Sequence, residues 1–164
     1  AMAAREVGVY PYGDPDSNIE AGVRYLAAMR STFPASTPRD QRALMLAAYN
    51  GHTETVKLLL DRGAKVNAVD LTGRTALMYA ASGPFAPTVQ LLITRGADPD
   101  IRDTDEGFTA LMFAAAEGQV EVIKALLSHG ADVTIKDNDG DKALDFAVKN
   151  GHQVAADLLR KETE

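Results

Sequence analysis

Catalysis or metal binding in this 164-residue sequence would have to be built from three histidines, His52, His129 and His152, and from 23 acidic side chains, because the chain contains no cysteine. That excludes thiolate nucleophiles, cysteine-ligated metals and disulfides. No two histidines stand four apart as on a zinc-binding helix, and neither a G-x-S-x-G nor a phosphate-binding loop pattern is present. His52 and His152 each follow a glycine, and His129 lies in a helix-ending turn where a cation complements the helix dipole. The segment Asp137-Asn-Asp-Gly-Asp141 alternates oxygen-bearing side chains as a calcium loop does. Its sixth residue is Lys142 and its twelfth Val148, where such a loop needs Gly and Glu, so it reads as a turn. No catalytic, cofactor-binding or metal-ligating residue is therefore expected, and no cofactor. The run Asp98 to Glu106 carries five acids and one arginine. It is either a solvated tip or an acidic patch that steers a basic partner.

The net charge of −6 opposes nucleic acid and anionic lipid as partners and suits a protein with a basic patch. The longest apolar runs, Ala43 to Tyr49 and Ala110 to Ala116, are seven residues, far short of a membrane helix. A monomer in the cytoplasm is the default expectation. Ala1-Met2-Ala3 reads as a remnant around a start codon or as the end of a removed export signal, which keeps a periplasmic or secreted location open.

The elements that would position any site repeat along the chain. Leu44, Leu77, Leu111 and Leu144 stand 33, 34 and 33 residues apart, and Ala47, Ala80, Ala114 and Ala147 keep the same steps. Gly63, Gly96 and Gly130 each sit in a similar phrase, RGAKVNA, RGADPDI and HGADVTI. Each copy predicts helix, turn, helix and an extended finger. In the third copy Thr109 is placed to cap the first helix, Gly118 to end it, and Val122, Ile123, Leu126 and Leu127 form the apolar stripe of a second helix over about 121–128. Paired alanines such as Ala114 and Ala115 let successive first helices approach closely. Asp70 to Gly73 and Asp137 to Gly140 have Asp and Gly where a type I turn prefers them, at the finger tips.

With GRTALMYAA, GFTALMFAAAEG, NGHTETVKLLLDRGAKVNA and DNDGDKALDFAVKNGH in place, residues 39 to 164 resemble the ankyrin repeat family. The family's TPLH becomes TALM in the second and third copies, and Ala-Leu-Met and Ala-Leu-Asp in the first and fourth. The histidine that braces neighbouring turns is thus missing, and methionine packing is expected to replace it. Arg42 and Lys142 stand where threonine would cap. The second copy departs further, with Ser82-Gly-Pro-Phe-Ala-Pro87 between its helices, where Phe85 is either an exposed anchor or packed on the outer helices.

The resemblance implies an all-α solenoid of helix-turn-helix repeats joined by β-hairpin-like fingers: repeats at 39–71, 72–105, 106–138 and 139–164, the last a C-terminal cap. It implies a non-catalytic module that binds a protein on a concave face of finger tips and first helices. The matching positions are Tyr49 and Asn50; Val69, Leu71, Thr72, Arg74 and Ser82; Arg102, Thr104, Glu106, Phe108 and Glu117; then Lys136, Asn138, Asp141 and Lys149. Leu71 and Phe108 flank turn glycines where burial within the monomer is not expected, which makes them candidate anchors with Arg74 and Tyr49. A scaffold or adaptor, an inhibitor or immunity-type protein that occludes an enzyme of the same cell, and a grafted enzyme or small-molecule site remain the competing classes.

Upstream, one repeat step back from Val56, Ile19, Val23, Leu26 and Ala27 form one apolar stripe behind the capping pattern Ser17-Asn-Ile-Glu20. Residues 17–38 read as a half-repeat cap helix and residues 1–16 as an extended arm. A solenoid's terminal unit has to cover the apolar side of its neighbour. Deleting residues 1–38 is therefore expected to lower the melting temperature and provoke aggregation, checked by thermal denaturation and size-exclusion chromatography.

Overall fold

A computed structural model describes residues 39–162, and the arm and cap helix expected over residues 1–38 lie outside them. Eight helices follow in four pairs: α1 (Arg39–Tyr49) with α2 (Thr53–Asp61), α3 (Ala76–Ala81) with α4 (Ala86–Thr94), α5 (Ala110–Ala116) with α6 (Val120–Ser128), and α7 (Ala143–Lys149) with α8 (Gln153–Lys161). The first members pack in one row, α1 on α3 on α5 on α7, and the second members form an outer row behind them. Among the described residues the only β pairing is an isolated antiparallel bridge between Val69 and Thr75, so the fingers are turns rather than sheet.

Alanine size sets the inner row. Ala47, Ala48, Ala80, Ala81, Ala114, Ala115 and Ala147 are all 0% exposed, at the places where one inner helix lies on the next. Larger side chains there would force the helices apart, since a close-packed interior has no spare volume. Leu59, Leu92, Leu126 and Leu159, one per outer helix, fill the layer between the rows. Val148 stands where earlier copies have the second alanine and is 54% exposed.

The sulfur of the substituted TALM motif does more than pack. Thr75 and Thr109 accept the backbone N–H groups of Met78 and Met112 at 3.3 and 3.4 Å, and the methionine Sδ atoms accept the Thr75 and Thr109 N–H groups at 3.4 and 3.5 Å. Both methionines are buried, so a soft acceptor closes a reciprocal cap that glutamate or glutamine would ordinarily close. In the fourth copy Asp145 accepts the Lys142 N–H at 2.8 Å, but Lys142 has no acceptor to return.

The Phe85 alternative resolves towards packing. Phe85 precedes α4 as His52 precedes α2 and His152 precedes α8. Its ring lies over the turn glycine of the preceding repeat, so that a Cβ on Gly51 would stand 2.2 Å from it. His152 covers Gly118 in the same way and donates from Nε2 to Ala116 O at 3.0 Å.

These caps make a quantitative expectation. Thr75→Ala and Thr109→Ala should each cost about 1 kcal/mol, and Lys142→Thr, which supplies the missing acceptor, should stabilise by up to about 1 kcal/mol. Chemical denaturation of the three variants checks both signs.

Candidate functional site

Each finger is organised by one aspartate, and the three are in register at Asp70, Asp103 and Asp137. Asp70 Oδ1 accepts the N–H groups of Thr72 and Arg74 at 2.8 and 3.0 Å and the Thr72 hydroxyl at 2.7 Å, while Oδ2 accepts the Tyr79 hydroxyl at 2.6 Å. Asp103 Oδ1 accepts the N–H groups of Glu106, Gly107 and Phe108 at 3.1, 2.8 and 3.0 Å. Asp137 Oδ1 accepts those of Asp139 and Asp141 at 3.0 and 2.8 Å. The fingers close through Asp70 N–H to Arg74 O, Asp103 N–H to Phe108 O and Asp137 N–H to Asp141 O, and the extra residue of the 34-residue step lies inside the second loop.

Neighbouring fingers are then joined backbone to backbone. Thr104 N–H donates to Thr72 O at 2.8 Å and Asn138 N–H to Glu106 O at 2.9 Å. These crossings need glycine: Gly73 has φ +77°, and a Cβ on it would lie 2.7 Å from Thr104 N. Arg102 adds a side-chain strut, its Nε donating to Gly107 O at 3.1 Å and its Nη2 to Asn138 Oδ1 at 2.9 Å.

Along the inner row runs an aromatic ladder absent from the sequence-derived site. Tyr79, Phe113 and Phe146 occupy the same register of α3, α5 and α7. Tyr49 meets Tyr79 edge-on at 6.2 Å, and Phe108 sits 5.4 Å from Phe113 and 4.7 Å from Phe146. Arg74 lies 5.0 Å over Phe113 with its Nε 3.3 Å from Asp103 Oδ2, and Lys149 lies 5.8 Å over Phe146 while paired with Asp141. The 34- and 33-residue steps between the three ring-bearing positions are the signal that identifies this ladder in the sequence.

Of the site residues inferred from the sequence, Tyr49, Asn50, Arg74, Ser82 and Glu117 come together around one cavity of about 570 Å³ with Tyr79, Phe85 and Phe113. Val69, Leu71 and Thr72 lie on the first finger, and Arg102, Thr104, Glu106, Lys136, Asn138, Asp141 and Lys149 on the later fingers and fourth repeat, outside that cavity. Tyr49 is 55% and Leu71 68% exposed. Two expectations are corrected. Phe108 is half-buried on the core because Phe113 and Phe146 flank it, so it does not stand free beside Gly107. Nor is the run Asp98 to Glu106 uniformly open to water: the Asp103 side chain is 0% exposed, held by three backbone N–H groups and Arg74.

A family model for ankyrin repeats (3 copies) matches residues 17–103 and again 82–164. The chain belongs to the ankyrin repeat family, whose members are generally protein–protein interaction modules and typically non-catalytic. A search of curated proteins returns no match. Among the described residues no helix is long and apolar enough to cross a membrane, and no group of three or more His, Asp or Glu side chains is placed to hold a metal ion.

Burial opposes ionisation of Asp70, but hydrogen bonds from Tyr79, Thr72 and Arg74 outweigh it and hold the carboxyl below its usual range. Burial and the bond to Asp70 push the Tyr79 phenol above its ordinary value. The Asp70 contribution is thus present at neutral pH and lost as pH falls through its lowered folded value. Tyr79→Phe should raise the Asp70 pKa, measured by NMR titration of the carboxyl. The melting-temperature deficit of this variant should be largest near pH 7 and shrink below about pH 4.

Proposed function

We propose that the chain binds a protein partner carrying a basic patch, through the concave face built by the fingers and the inner helices. The observation that supports this reading is the fate of the charges on that face. Arg74, Arg102 and Lys149 are each engaged by acceptors of the same chain, and Lys136 meets none among the described residues. Among the described residues, the side-chain carboxylates of Asp105, Glu106, Glu117 and Asp139 make no hydrogen bond or ion pair. Rim charges of one sign accelerate encounter with the opposite sign and add less to affinity. Exposed Leu71 and Val69 on the first finger supply apolar area that a partner would desolvate.

An inhibitor that occludes an enzyme would use the same surface. Its rigidity favours either role, because little side-chain and loop freedom remains to be lost on association.

With the partner recovered by affinity capture from an extract of the source cell, Leu71→Ala should weaken binding by about 1–3 kcal/mol and leave the melting temperature nearly unchanged. Replacing Asp105 and Glu106 by lysine should slow association far more than it speeds dissociation, and added salt should mimic it. Rates independent of salt and of both acids would contradict the charge argument.

A further inference from the structure

The cavity between the ends of α1, α3 and α5 carries a more specific instruction about its occupant. Its charged lining groups are Arg74 and Glu117. Arg74 is matched by the buried Asp103 carboxylate and stacked on Phe113, so its charge and one face are already used. Glu117, exposed at the end of α5, makes no side-chain bond among the described residues and therefore sets the sign of the cavity. At the opposite end stands the exposed ring of Tyr49, edge-on to Tyr79. Two interaxial steps of about 8–10 Å separate α1 from α5, a span of about five or six residues of extended chain. The volume of about 570 Å³ lies within the range of ligand-binding clefts.

We propose that this cavity takes an extended segment of the partner, with an arginine paired to Glu117 at the third repeat and an apolar side chain laid on Tyr49 at the first. Arginine is favoured over lysine because its planar fork meets a carboxylate through two parallel bonds. The ladder already shows the geometry, with Arg74 held at once by a carboxylate and an aromatic face. An acidic segment would meet Glu117 with like charge and an Arg74 whose charge Asp103 already matches. The inference rests on the inner-helix face being the binding surface, and it adds the order and chemistry of what lies there.

The test is selection of a displayed library of random linear peptides against the full chain. Enriched peptides are expected to share one arginine with an aromatic or aliphatic residue about five or six positions away. Glu117→Gln should weaken them about tenfold, and Glu117→Arg should be rescued by a peptide whose arginine is replaced by glutamate. Tyr49→Phe should retain binding and Tyr49→Ser lose it several-fold. Both positions are exposed, so folding is retained and is checked by circular dichroism. Failure to enrich any peptide, enrichment without a conserved cation, or indifference to Glu117→Gln and Glu117→Arg overturns the proposal. NMR shift mapping separates the two levels. Peptides that perturb α1, α3 and α5 without needing arginine leave the binding face standing and remove only this inference. Peptides that perturb only the outer helices remove both.

Discussion

The Asp103 carboxylate, with its side chain closed to solvent, accepts three backbone N–H groups of its own loop and faces Arg74 of the preceding finger at 3.3 Å. Burying a carboxylate is costly unless its lone pairs are met by donors, and charge-assisted bonds are the strong kind. Here the donors are the amides that would otherwise be unsatisfied in an irregular loop. The same contact fixes Arg74 over Phe113, and so joins a finger, its neighbour and an inner helix. Asp70 and Asp137 repeat the arrangement in part, each held by backbone donors of its own loop.

What these aspartates organise rests on the alanines beneath them. Inner helices that pack through Ala47, Ala80, Ala114 and Ala147 bring one repeat close enough for Thr104 to bond Thr72 and for Asn138 to bond Glu106. They also bring Tyr79, Phe113 and Phe146 into a ladder along the same row. Each repeat touches only its neighbours, so the face is assembled from local contacts that recur, as in other solenoids. The irregular positions carry the individuality: the longer second finger, Phe85 in place of histidine, and methionine sulfur in place of the usual capping side chain.

Much of this was legible in the sequence because repeats make register visible. The 33-residue step located every inner helix, the paired alanines, the Thr109 cap and the turn at Asp137. It did not tell Phe108 apart from Leu71, since both precede or follow a finger glycine. Only the three-dimensional neighbours, Phe113 and Phe146 for one and solvent for the other, distinguish them. Counting charge in the run Asp98 to Glu106 likewise treated Asp103 as one acid among five, although its role is set by backbone donors that composition does not record. The aromatic ladder was present in the sequence as a ring at the same place in three copies.

The proposed binding face is preformed in the free protein, held by carboxylates tied to the stack. Hydrogen exchange of the unbound chain tests it directly at the amides of Glu106, Gly107 and Phe108. They lie in a loop without regular secondary structure and should nonetheless exchange about as slowly as the inner-helix amides of α5. Exchange of these three amides at the rate of an unstructured loop, with α5 still protected, would contradict the account.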